Sequence, residues 1–387
     1  MNEKLNEIED AFKAQNNAQG LKLLRAFVDE YPNNVEQLYR LAVIEEQIGT
    51  VQKAEACYLA CLKLSPMNVM VHLYAGYFFQ QQGQLERALA IYSLGNDIDG
   101  QLQWLHWRED ASYETRLRSY TAEIALKDHF TSLHKKSLES ANTSSIINSA
   151  IWPQTHNQAF SYLHPHQKPH LFYVPRLLAK PVHDKTLLPW CEIVENNYER
   201  ISGEFSNLIE MITAKGTPYI NKTFVEKEFE ALAGSKNWTA LYLYNNGVAN
   251  NELLDLMPQT VDLLKALPLY NLNENPYEVF FSLLKAGQHI KPHFGQSNHS
   301  LTVHLPIIVP NGGYLRVADE KHCWQKGKVI AFDDSFEHEA INTTDQDRVV
   351  LIFSVWHQDL SENERQDIQK SFSERDVWLK NRHQFLL

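Results

Sequence analysis

The chain is poor in the residues and patterns that mark several large protein classes. Four cysteines in 387 residues are too few for a disulfide framework, so a reducing, cytoplasmic setting is expected. Glycine and proline number 15 each, which excludes a collagen-like or low-complexity protein. No apolar run approaches the roughly 18–20 residues of a membrane helix, so membrane insertion is not expected. The opening residues, MNEKLNEIEDAFKAQ, are acidic and helical in pattern, unlike a signal or transit peptide. Positive charge is scarce as well. Against 36 Lys+Arg stand 47 Asp+Glu, a net charge of −11, which argues against nucleic acid as a partner. Neither a GxGxxG run, a P-loop, a nucleophile elbow nor a CxxC pair is present, so dinucleotide, nucleotide and thiol chemistry have no support. What remains is a packed globular chain, 44% hydrophobic and 21% charged, long enough for about two domains.

Histidine, by contrast, is abundant. Of 17 histidines, seven (His289, His293, His299, His304, His322, His338 and His357) lie between 289 and 357. Imidazole is the commonest metal ligand and a common acid–base group, so chemistry is sought there first.

The N-terminal third repeats. Pro32, Pro66 and Gly100 are spaced by 34 residues. The same period aligns Gly20, Ala54 and Ala88, then Leu24, Tyr58 and Tyr92, then Ile8, Ala42 and Gly76. Small residues where helices cross, an aromatic four later and a breaker at the end describe stacked helix–turn–helix units. The pattern resembles the tetratricopeptide repeat, with a degenerate first unit. Cys57 and Cys61 are expected as packed thiols, since no partner ligand lies nearby at metal spacing. The helical pattern continues to about residue 136. Residues 137–165 lose periodicity and gather Ser, Thr and Asn, which predicts an interdomain linker.

Beyond it, LLPWCEIVENNYERISGEFSNLIEMI predicts one helix of about 20 residues. From residue 277 the period switches to two. YEVFFSLLKAG, SLTVHLPIIVP, GYLRVA, GKVIAFDD, HEAIN and RVVLIFSVW read as short strands between turn residues, which predicts an antiparallel barrel or jelly roll. Within these strands His293, His304 and His338, with Arg348 and Ser282, form a usable set. Imidazoles hold a divalent metal such as Fe(II) and leave positions open. A strand-borne arginine grips a carboxylate with two hydrogen bonds, and a serine hydroxyl shares it. Asp333 and Asp334 are expected in turn or cap roles, His357 in packing with a backbone hydrogen bond, and Trp324 in the core.

PHFGQSNHSLTVHLPIIVP, then Trp324 with QKGKVIAFDDSFEHEAIN, then RVVLIFSVWHQDL resemble the catalytic domain of the aspartyl/asparaginyl β-hydroxylases. The resemblance covers about residues 170–360. It implies a double-stranded β-helix (jelly-roll, cupin-like) oxygenase domain with flanking helices over 166–387, after a tetratricopeptide-like all-α array over 1–136. It implies Fe(II), 2-oxoglutarate as cosubstrate and O₂. His293 and His338 match the iron ligands, and Gly295 matches the glycine found where most such oxygenases place an acidic ligand. Arg348 and Ser282 match the pair on the distal carboxylate of 2-oxoglutarate, and His304 the histidine near its other carboxylate. Thr302 stands where the family usually has an arginine, and Ser300 replaces another frequent basic residue. A hydroxyl cannot supply a charge-assisted contact, so Lys291 or Arg316 is the expected source of a compensating charge.

The resemblance implies hydroxylation of an Asp/Asn-type side chain in a peptide or protein, presented with help from the repeat domain. The competing reading, which Thr302 favours, is a non-enzymatic metal-binding scaffold that binds peptides or proteins. A third is a cupin-like metal enzyme working without 2-oxoglutarate.

Overall fold

The computed structural model describes residues 2–138, 145–220 and 229–386. The chain divides into two compact units, Met1–Ser132 with Asp376–Leu387, and Leu133–Arg375.

The first unit begins with six helices in antiparallel pairs: α1 (Asn2–Lys13), α2 (Asn17–Glu30), α3 (Val35–Ile48), α4 (Val51–Leu64), α5 (Val69–Gln81) and α6 (Leu85–Ile98). The 34-residue period is also a period of helix starts. Asn16, Thr50 and Gln84 precede the second helix of each pair, and the Asn16 and Thr50 side chains accept from backbone N–H groups three residues on. Asn34 and Asn68 do the same for α3 and α5, each cap contributing about 1 kcal/mol. Leu24, Tyr58 and Tyr92 are fully buried, as are Ala42, Ala54 and Ala88. Gly76 permits the closest approach, for a Cβ there would lie 2.5 Å from the Tyr92 ring. Cys57 and Cys61 are packed, and burial pushes their thiols up to about 11 and about 12. A 3₁₀ segment (Gly100–Trp107) and α7 (Tyr113–Leu138) follow. The chain's last residues return to this unit, where Arg382 bonds Ser93 and Asp97.

The second unit departs from the expected linker over 137–165. Residues 139–144 lie outside the described residues, but Ile147, Ala150 and Trp152 are buried with Phe172, Trp356 and Ile368, and Ile151 bridges Tyr173. Single large side chains anchor this segment, and these leave no periodic trace. The expected 20-residue helix is three: Trp190–Asn196, Tyr198–Ser206 and Ile209–Ala214. The first break falls at Asn197, whose side chain bonds the Ile193 carbonyl at 2.8 Å and so competes with the helix ladder.

Eleven strands are described: β1 (Thr217–Pro218), β2 (Trp238–Asn245), β3 (Val248–Ala249), β4 (Glu278–Leu284), β5 (His289–His293), β6 (Ser300–Ile308), β7 (Tyr314–Val317), β8 (Glu320–His322), β9 (Ile330–Phe332), β10 (His338–Ile341) and β11 (Arg348–Trp356). They form a large antiparallel sheet, β1-β2-β4-β11-β6-β9 with β3 on β2, and a small one, β5-β10-β7-β8. On the large sheet, odd-numbered Val279, Phe281, Val303, Leu305, Leu351 and Phe353 pack on the helices. Even-numbered Phe280, Leu284, Val350, Ile352 and Phe332 join Ile290, Leu315, Val317 and Ala340 of the small sheet. The second core therefore lies between the sheets. No helix among the described residues is long and apolar enough to cross a membrane.

Several buried histidines are held in surroundings that disfavour their charged form. Both ring nitrogens of His299 lack a partner among the described residues, and the ring sits among Phe172, Tyr270, Trp356 and Phe372 at 4.9–5.7 Å. Burial pulls His299 down to about 3, and His134 and His183 down to about 4. Unfolding returns each toward 6.5, so below that pH the unfolded chain binds more protons. Each contribution is intact above pH 6.5 and lost as pH falls toward the folded value, by about 1.4 kcal/mol per pH unit per imidazole. Urea midpoints measured from pH 7.5 to pH 4.5 should fall steeply below 6.5, and His299→Phe should reduce that slope.

Candidate functional site

The even-numbered face of the large sheet carries the polar residues that enter the space between the sheets. Three cross-strand steps order them. Arg348 lies opposite Leu284, and Ser282 opposite Val350. One step along, His304 and Phe280 flank Ile352. A step further, Thr302 lies opposite Ser354, with Glu278 level with Ser354 on β4. Each step is two residues, about 7 Å.

Arg348 is 2% exposed, and its Nε and Nη1 have no partner among the described residues. Its Nη2 donates to Ser282 Oγ at 3.4 Å, and its guanidinium lies 4.6 Å from the Trp324 ring centroid. Burial pulls it down toward about 9. Ser282 Oγ also accepts from Trp238 Nε1 at 3.1 Å. With two donors on its oxygen, the Ser282 hydroxyl has its own proton left to give. His304 is buried, and its Nδ1 accepts from Trp324 Nε1 at 3.3 Å. Trp324 can only donate, so His304 carries its proton on Nε2.

His293 and His338 face this set from the small sheet, as direct partners in the β5–β10 register. Their ring centroids are 4.1 Å apart. His293 Nδ1 donates to the Lys291 carbonyl at 2.7 Å and His338 Nδ1 to the Phe336 carbonyl at 2.9 Å. A carbonyl only accepts, so both rings keep a lone pair on Nε2, the tautomer that binds metal. Burial pulls them down to about 3 and about 4, so both are neutral at pH 7. Phe332 packs against His304 and His338 at 5.1 and 5.5 Å and links the two groups. No cluster of three or more His, Cys, Asp or Glu among the described residues is arranged to hold a metal.

Other expected residues lie elsewhere. Arg316 sits between Leu315 and Val317, which point inward, so it points outward. There it bonds Glu339 at 2.6 Å and Glu337 at 3.0 Å. Lys291 is exposed beside inward Ile290. Neither supplies a charge at Thr302. That hydroxyl instead donates to Asp334 Oδ2 at 2.9 Å. His289 pairs with Glu339 on the outer face, and His357 contacts the Leu178 carbonyl.

Sequence reasoning missed three residues. Trp324 is buried, but it also orients His304 and covers Arg348. Trp238 holds Ser282. Asp334 is more than a turn residue: a Cβ on Gly295 would meet its carboxyl at 2.3–2.8 Å. Asp333 does serve the turn, taking Ser335 N–H and O–H and Gln167. Loop position hid Asp334 and Trp324, since a loop has no period to reveal an inward side chain.

Two antiparallel sheets thus enclose a buried cation, with a neutral imidazole pair alongside. Residues 195–358 match the family model described as Aspartyl/Asparaginyl beta-hydroxylase, and the chain is similar to members of that family through this segment. Human aspartyl/asparaginyl beta-hydroxylase is 28% identical over 206 residues, which cover 52% of this chain and 27% of that protein. Human aspartate beta-hydroxylase domain-containing protein 2 is 30% identical over 214 residues, 54% of this chain and 55% of that protein. Ornithine lipid ester-linked acyl 2-hydroxylase of Rhizobium tropici is 29% identical over 174 residues, 44% of this chain and 58% of that protein. The matches thus span less than two thirds of each relative.

The contact at Gly295 sets a test. Gly295→Asp should destabilise the protein by about 1–3 kcal/mol through overpacking, and the added Asp334→Ala should recover most of the loss. Chemical denaturation of the two variants checks this, and an unperturbed single variant would show that Asp334 does not fill the space beside Gly295.

Proposed function

We propose that this chain is an Fe(II)- and 2-oxoglutarate-dependent dioxygenase that hydroxylates an Asp/Asn-type side chain of a peptide or protein. The observation that carries the proposal is Arg348. Burying an unpaired ion costs several kcal/mol, while a cation–π contact returns only about 0.5–2 kcal/mol. A bound carboxylate offsets the difference. The residues fit a short dicarboxylate: Arg348 and the Ser282 hydroxyl receive one end, and the His304 Nε2–H lies one step of about 7 Å away for the other. The donor set also fits iron, since His293 and His338 would hold it through Nε2 and leave sites for the cosubstrate and O₂.

Bound there, iron with 2-oxoglutarate and O₂ supplies the oxidation of a C–H bond to C–OH. The chain's own residues bind and orient. Arg348 and Ser282 fix the distal carboxylate, and His304, held by Trp324, donates to the proximal one. Phe332, Ile352 and Trp324 keep water out. No side-chain base is required. The helical array presents the substrate, and its exposed Trp107, Tyr113 and Tyr120 offer contact area. Four free cysteines suit a reducing cytoplasm.

Calorimetry with Mn(II) in place of iron tests the reading. 2-Oxoglutarate should bind the wild type, and Arg348→Met should weaken it by about 100-fold. The same substitution should leave the melting temperature without diacid unchanged or raised, because it removes an unpaired buried charge. Succinate release with Fe(II) should vanish in His293→Ala and in His338→Ala. Metal binding without succinate release would favour the scaffold reading, and diacid binding indifferent to Arg348→Met would overturn the site.

A further inference from the structure

The inward face of the large sheet is polarised along its strands. Arg348 and Ser282 mark one end. At the other, Glu278, Ser354 and Thr302 lie level across β4, β11 and β6, and Asp334 extends the row through its bond to Thr302. Next to Glu278 on this face, the Phe280 ring packs against Tyr219 and Tyr242 at 5.4 and 5.1 Å. Among the described residues, the basic groups that act on Asp334 are the imidazoles of His293 and His170. The diacid fills the Arg348 end in the reading above, so a substrate side chain meets the row at the opposite end.

The row's chemistry is one-sided. Glu278 and Asp334 offer carboxyl acceptors, and Thr302 already gives its proton to Asp334. An aspartyl side chain entering here adds a third carboxylate to a partly buried pair, which is unfavourable. An asparaginyl side chain has the same shape, no charge and an NH₂ group with two donors. We infer that Glu278 and Asp334 make this site select asparaginyl over aspartyl side chains, with Glu278 the specificity-determining residue. The inference rests on the oxygenase reading for the location of the substrate, but the selectivity is measurable without metal or turnover.

The experiment uses the metal-free full chain at pH 8. Fluorescent 15-residue peptide mixtures with a fixed central Asn, Asp, Lys or Arg and randomised flanks are titrated by fluorescence polarisation. The Asn-centred mixture should bind at least about ten-fold tighter than the Asp-centred one, the effect of one hydrogen bond to a charged group. Glu278→Gln should narrow that ratio to about two-fold, and Glu278→Lys should reverse it. Equal or tighter binding of the Asp-centred mixture, a preference for Lys or Arg over Asn, or no binding by any mixture would each overturn the inference. The wild-type comparison decides the matter even where a Glu278 variant fails to fold. Selective peptide binding in a protein that does not bind 2-oxoglutarate would retire the oxygenase reading and leave the selectivity standing.

Discussion

The pleat of the large sheet governs everything at the site. On β4, β6 and β11, odd positions are apolar and pack on helices, while even positions face the small sheet. Arg348, Ser282, His304 and Thr302 are all even. A slip of one residue in any of these strands would carry a polar group into the helix-packed core and push Phe281, Val303 or Leu351 into the cavity. Each misplaced large side chain forfeits about 1.5–3 kcal/mol of burial, and each buried polar group without a partner adds a similar cost. The alternation that folds the sheet therefore also aims the site, and the β5–β10 register then sets His293 against His338.

Much of this was legible in the sequence, for a physical reason. The helical array declares itself through repetition, because small residues recur where helices cross (Gly20, Ala54 and Ala88) and large apolar ones four positions later (Leu24, Tyr58 and Tyr92). The strands declare themselves through alternation, and His304, Ser282 and Arg348 could be placed on strands for that reason. The segment around Trp152 was not legible, because one tryptophan docking on Phe172 and Phe372 at 5.1 and 4.6 Å has no local signature. The break at Asn197 was hidden inside an apolar spacing that still reads as helix. Trp324, Trp238 and Asp334 act through contacts between distant segments, which a periodic reading cannot register.

The departures from the family pattern belong together. Thr302 stands where the family usually has an arginine, and among the described residues no cation takes its place, since Arg316 is held outside by Glu337 and Glu339. Gly295 leaves the room that Asp334 fills. An arginine at 302 would pair with Asp334, whereas threonine bonds it and leaves its charge uncancelled. In the proposed reading the substrate end of the site is consequently acidic while the Arg348 end is basic. Such a division would keep the proposed acidic cosubstrate at one end and reject acidic groups at the other.

A crystal structure of the full chain with Mn(II) and 2-oxoglutarate tests the central claim most directly. The account predicts the metal on Nε2 of His293 and His338, with one carboxylate of the diacid on Arg348 and Ser282 and the other within reach of His304 Nε2. A diacid bound elsewhere, or a metal that leaves either histidine free, would contradict it.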